Sequence, residues 1–213
     1  RSRRQRQMCI RDRSSKVTVL GNHCSKFIDS PYSRTGILEG NPIHKDMVAA
    51  SKMAHQKYIV NVIIDADKKV VHAVAGDAIE AHAAGCKFLQ DYCQVVPKKA
   101  ADIAISTNGG YPLDQNMYQS VKGMTAAEAA AKDDGILIMV SNCGDGHGGE
   151  GFYEALKNCS SPADLMEEIL KVPQDQTKPD QWEYQIQCRI LMQHKVIYVT
   201  VSYTHLRAHE TKA

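Results

Sequence analysis

Three side chains within five residues could act together on one ligand. The stretch Ser106-Thr-Asn-Gly-Gly-Tyr-Pro-Leu-Asp-Gln-Asn-Met-Tyr-Gln-Ser-Val-Lys-Gly123 leaves an apolar run through a Gly-Gly pair and enters a helix carrying Tyr118, Gln119 and Lys122. Tyr118 and Lys122 are four apart and share a helix face, with Gln119 on its flank. A phenol, an amide and an ammonium beside a helix N-terminus suit an anion such as a carboxylate. The bland alternative is a capped helix with an exposed lysine. A second loop, Cys143-Gly-Asp-Gly-His-Gly-Gly-Glu-Gly-Phe152, contains Gly144-x-Gly146-x-x-Gly149, a dinucleotide fingerprint in outline. Its acidic partner should end the next strand, whereas Glu167 and Glu168 fall in an expected helix, and no GK[ST] follows to make a P-loop. The loop therefore reads as backbone brought close to a ligand or a neighbouring helix, with Asp145, His147 and Glu150 equally suited to position it or to react.

His23 stands in irregular chain and could bind a metal, although nearby residues add no ligands at usable spacing. His44, His55, His72, His82 and His194 read as structural. His205 and His209 are four apart but lack the glutamate of HExxH, and lie in an end segment set aside below. Trp182, the single tryptophan, opens a helix and either anchors it in the core, the commoner fate, or offers its indole N–H to a ligand. The seven cysteines include no CxxC pair and read as buried thiols rather than a disulfide framework or a nucleophile.

These residues need a scaffold. Asn41-Pro42 starts a helix to about Gln56. Tyr58–Ile64 and Val70–Ala75 form a hairpin, and Gly76-Asp77 opens a helix to about Asp91. Pro97–Ala100 is a linker. Beyond it, strand Ile103–Ser106, a helix from about Gln115, helix Ala126–Lys132, strand Ile136–Ser141, helices Phe152–Asn158, Ala163–Lys171 and Gln181–Gln193, and strand Val196–Val199 alternate in βαβ order. That order predicts an α/β class with a parallel sheet, helices packed on it, and ligands at the C-terminal strand ends.

With 43% hydrophobic residues, the 213-residue chain can bury one sizeable core or one domain and part of another. The net charge of +2 is misleading, because six arginines and one aspartate in residues 1–15 leave the remainder at −3 and residues 16–200 at −4. The body thus gives no argument for nucleic acid. No apolar run is long enough for a membrane span and no signal peptide opens the chain, so the expectation is a cytoplasmic protein. Residues 1–15 and the closing 201–213 look like translated sequencing adapter and are read as artefactual or disordered ends.

The strings GNHCSKFIDSPYSRTGILEGNPIHKDM, ADIAISTNGGYPLDQNMYQSVKGMTAAEA, MVSNCGDGHGGEGFYEAL and PDQWEYQIQCRIL, in this order, resemble the nickel-dependent lactate racemase family from about Thr18 to Thr200. The resemblance implies a nickel pincer nucleotide, a pyridinium-derived mononucleotide holding nickel through carbon and two sulfurs, and a 2-hydroxy acid substrate. Hydride would leave the substrate α-carbon, give a 2-keto acid and return to either face. By the same resemblance His23 ligates nickel, Lys122 neutralises the substrate carboxylate, Gln119 orients it, and Tyr118 and Trp182 shape the pocket. The family's cofactor-tethering lysine, acid–base histidines and substrate arginine lie upstream of GNH, where this chain has adapter-like sequence, and Lys16 is too close to His23 to be the tether. The expectation is a fragment: 16–97 the end of the N-terminal cofactor domain, and 98–200 a shortened C-terminal α/β domain. Two other readings stay open, a non-catalytic anion-binding module and an NAD-dependent oxidoreductase using the Gly144–Gly149 loop. The particular 2-hydroxy acid and the oligomeric state are not readable.

Overall fold

A computed structural model describes residues 21–200, so both end segments and the His205–His209 pair lie outside the described residues. It divides into two compact units, one of residues 30–97 and one joining residues 21–29 to those from Lys98 on. The sequence reading put 16–97 in one domain. The difference is the short helix α1 (Ser25–Asp29), which buries Ser25 and Ile28. The adjoining Cys24 is also buried. Side chains far along the chain hold this segment: Gln185 Nε2 donates to Ser25 O at 2.9 Å and Gln174 Nε2 to Gly21 O at 2.8 Å.

In the smaller unit, Asn41 caps α2 (Pro42–Met53), its side chain accepting from the Ile43 and His44 amides. Strands β1 (Ile59–Ile64) and β2 (Val70–Gly76) pair antiparallel as the expected hairpin. Asp77 then caps α3 (Ala78–Cys93), accepting from Ile79 and Glu80. His72 stacks on Phe88 and His44 on His82, packing roles in keeping with a structural reading. Cys93 is exposed and Cys86 and Cys159 are half-buried, so the expectation of buried thiols holds among the described residues only for Cys24, Cys143 and Cys188.

The larger unit is α/β. Strands β3 (Ala101–Thr107), β4 (Ala131–Val140) and β5 (Lys195–Val199) form a parallel sheet in that order. Helix α4 (Met117–Glu128) connects the first pair. Helices α5 (Glu150–Asn158), α6 (Pro162–Leu170) and α7 (Gln181–Gln193) intervene before β5. The helix expected at Ala126–Lys132 is absent as a separate element. Its first residues finish α4, and Ala131 opposite Ala101 already belongs to the β ladder. Local alanine content favoured helix there, and strand pairing overrode it. Alternation along each strand then sorts the sheet's faces. Ala104, Leu137 and Met139 join Val121, Met124, Phe152 and Ile190 in the core. Ile103, Ile105, Ile197 and Val199 point the other way and are exposed.

Gly123 shows how tightly α4 lies on the sheet. A Cβ there would meet Met139 Cε at 2.6 Å and the Thr107 carbonyl at 2.9 Å. The glycine lets the helix following Lys122 come down onto β3 and β4, which fixes the height at which Lys122 leaves the surface.

Candidate functional site

The site grows from the C-terminal ends of β3 and β4. Past β3, Gly109 and Gly110 take positive φ, and Asn108 ties the returning loop to α4 by donating to the carbonyls of Leu113 and Gln119. Asn116 caps α4 by accepting from the Gln119 amide at 3.0 Å.

The glycine-rich loop after β4 completes that cap. The Met117 amide donates to Gly146 O and the Tyr118 amide to His147 O, both at 3.1 Å. The first-turn amides of α4 are therefore spent within the protein, and the expectation of a helix N-terminus open to an anion is corrected: recognition here falls to side chains alone. The same contacts explain the glycines. A Cβ on Gly148 would lie 2.8 Å from Tyr118 Cβ, and one on Gly149 2.8 Å from Asp180 Oδ2. The loop is a spacer between α4 and the start of α7. The Asp180 carboxylate against Gly149, the residue preceding α5, already puts a negative charge where a dinucleotide would bring its pyrophosphate.

Helix α7 supplies the opposite wall. Arg189 grips Glu128 with two hydrogen bonds of 2.9 and 2.7 Å, both side chains mostly buried, and so clamps α7 to α4. On its first turn Trp182 is half-buried, and its ring meets that of His23 edge-on with centroids 5.2 Å apart. The next residue, Glu183, is only 3% exposed. The neighbouring Trp182 side chain favours its charged form, and its Oε1 lies 3.9 Å from Lys122 Nζ. Lys122 Nζ in turn donates to Gln119 Oε1 at 2.5 Å and sits 6.0 Å from the Tyr118 ring centroid, at the limit of a cation–π contact. The Tyr118 ring packs edge-on against buried Phe152.

One run of contacts thus leads from His23 through Trp182 and Glu183 to Lys122, Gln119 and Tyr118. All five residues singled out in the sequence meet in the larger unit. Glu183 and Asp180 were missed, because an acid in the first turn of a helix is ordinary dipole chemistry and signals nothing more.

The electrostatics follow from burial. Glu183 is pushed up to about 7, first by burial, with Lys122 and Trp182 pulling it down and Asp180 pushing it up. Tyr118 is raised well above the ordinary phenol range by burial, then by Glu183 and Asp180, so its hydroxyl stays protonated. Among the described residues no group of three or more His, Cys, Asp or Glu is placed to hold a metal ion. His23 offers a single borderline-soft nitrogen, which suits a metal held on its other sides by an organic ligand and not a metal centre built from protein alone.

The sequence profile of the lactate racemase C-terminal domain matches residues 96–211. The chain belongs to the lactate racemase family. The match runs beyond Thr200 into the closing segment that the sequence reading had set aside. Over 189 residues the chain is 56% identical to the lactate racemase of Thermoanaerobacterium thermosaccharolyticum, covering 89% of this chain and 44% of that protein. Over 187 residues it is 51% identical to the lactate racemase of Lactiplantibacillus plantarum, covering 88% and 44%. The solved lactate racemase apoprotein from T. thermosaccharolyticum superposes with a TM-score of 0.83 at 56% identity, over 86% of this chain and 44% of that one. The chain therefore spans a little under half the length of these lactate racemases. Among the described residues no helix is long and apolar enough to cross a membrane.

Proposed function

We propose that this chain supplies the substrate-side half of a nickel-dependent 2-hydroxy-acid racemase, an isomerase for which lactate is the reference substrate. The observation that carries the reading is the run of contacts from the His23 imidazole to the Lys122 ammonium, in a chain of this family. His23 would hold the nickel of a pincer nucleotide, which would supply hydride exchange at the α-carbon of a 2-hydroxy acid, with the 2-keto acid as the intermediate the resemblance implies.

The chain's own residues do the rest. Lys122 neutralises the substrate carboxylate, and Gln119, hydrogen-bonded to it, sets the angle at which that carboxylate docks. Tyr118 keeps its proton and acts as a hydrogen-bonding wall rather than a base. Trp182 closes the side towards His23 and keeps water from the reacting carbon, where a hydride equivalent would otherwise be lost to solvent. Such a site asks for a small organic acid as partner and for neither nucleic acid nor membrane. The resemblance implies a tethering lysine and acid–base histidines upstream of the Gly21-Asn22-His23 string, so the 213 residues alone are expected neither to retain the cofactor nor to racemise lactate.

The test is chiral analysis of lactate turned over by a full-length, cofactor-loaded enzyme carrying this chain. Lys122→Ala should lower kcat/KM by about a hundredfold or more, since a substrate carboxylate without its counter-charge in a dry site costs several kcal/mol. Near-normal kinetics would remove Lys122 from the site, and racemisation by the isolated 213-residue chain would overturn the division of labour.

A further inference from the structure

We propose that Glu183 is a positioning residue of this site: its buried carboxylate holds the Lys122 ammonium and the Trp182 indole together, so that cation and indole meet a bound organic acid in fixed register. The clause about the acid rests on the function proposed above, whereas the coupling of the two side chains does not.

Three observations lead there. First, Glu183 is 3% exposed, and its partners at the site are Lys122 at 3.9 Å and the Trp182 side chain. A carboxylate withdrawn from water that far survives as an ion only when its partners are held in place, so the acid and its two partners share one geometry. Second, it is not needed to join the helices, because the Arg189–Glu128 fork already clamps α7 to α4 one face away. Third, withdrawing a carboxylate from water costs a fold more than burying an apolar side chain of the same size, so an acid here is a stability cost that packing does not explain. Burial pushes Glu183 up to about 7 against the pull of Lys122 and Trp182, with Asp180 adding to the rise, so the carboxylate that faces Lys122 is the form present above that value, and Tyr118 feels its negative charge. Lys122 itself is 58% exposed in its side chain, so without Glu183 the ammonium would keep only the flexible Gln119 amide and a distant contact with the Tyr118 ring among the described residues.

Trp182 is the only tryptophan of the chain, so its emission reports on this corner alone. Lys122→Met in the 213-residue chain, a change at an exposed side chain, should shift the Trp182 emission because the released carboxylate relaxes against the indole. In a Glu183→Gln background, which keeps the size and the acceptor oxygen but removes the charge, the same Lys122→Met change should leave emission where it was. Equal shifts in both backgrounds would overturn the proposal. Should Glu183→Gln fail to fold, Lys122→Met alone decides, and an unchanged spectrum sinks the idea. In the full-length holoenzyme Glu183→Gln should raise KM for lactate about tenfold with a smaller fall in kcat, and Glu183→Asp should recover part of it. A loss confined to kcat would count against positioning. If the unmodified holoenzyme racemises no 2-hydroxy acid, the functional reading falls while the emission result still judges Glu183 by itself.

Discussion

The two units of the chain contain similar elements and differ in what those elements bury. In residues 30–97, only Ala78 and Ala81 are buried, while Val60, Val62, Ile64 and Val70 on the hairpin stay exposed. In the larger unit thirteen buried residues form one continuous cluster beneath the sheet, and the polar site is seated on it. Helices and hairpins can therefore be specified by local chemistry alone, through caps and β-branched runs, but a set of side chains held to fractions of an ångström needs a packed floor. The five side chains singled out in the sequence all belong to this unit, and Tyr118 packs directly on that floor.

The sharpest way to break the comparison is to remove a piece of each floor. Phe152→Ala should destabilise the larger unit by about 3–5 kcal/mol, since Phe152 is 1% exposed and backs Tyr118. Met53→Ala, at a side chain 80% exposed, should change stability by under about 0.5 kcal/mol. Urea unfolding followed by circular dichroism measures both, and equal effects would dissolve the contrast.

Acidity should separate the units by sign. Burial raises Glu183 from its ordinary 4.5 to about 7. Between those values the unfolded chain releases the proton and the folded chain keeps it. Stability of the larger unit should thus fall as pH rises from about 4.5 to 7, by about 3 kcal/mol, and level off above. Glu183→Gln should flatten that window in unfolding curves read by Trp182 emission. Asp77 in the smaller unit runs the other way. The Glu80 and Ile79 amides hold its carboxyl below the ordinary 3.8, so its contribution is full above that value and disappears as pH drops through the folded one. Amide exchange along α3 should accelerate only in strong acid, and acceleration near neutrality would contradict the cap.

A smaller effect comes from paired glycine substitutions. Gly123→Ala must displace Met139 or the Thr107 carbonyl and should cost about 1–3 kcal/mol. Gly85→Ala, inside α3 with only a Val74 methyl at 3.3 Å, should be neutral or stabilise by about 0.5–1 kcal/mol through helix propensity. Matching losses at both positions would mean that the smaller unit is packed as tightly as the larger.

Much of this was legible beforehand where the cause is local. Asn41-Pro42 started α2 where an N-cap followed by proline should, and the β-branched runs paired as a hairpin. Tyr118, Gln119 and Lys122 share their helix as spacing required, and the motif order pointed to the family before any fold was known. What failed failed for non-local reasons. Ala131 is a helix former that pairs with Ala101, and the first-turn amides of α4 looked open to an anion until the Gly146 and His147 carbonyls closed on them.

By itself, then, the sequence determined the elements, the family and the five side chains worth watching, because capping, periodicity and motif spacing are properties of short stretches of chain. Only the tertiary structure decided that residues 21–29 leave their chain neighbours to bring His23 against Trp182, and that Glu183, 61 residues beyond Lys122, lies buried beside it. Desolvation is the reason: how strongly a carboxylate binds its proton, or grips a lysine, depends on how much water its neighbours exclude, and those neighbours come from distant parts of the chain.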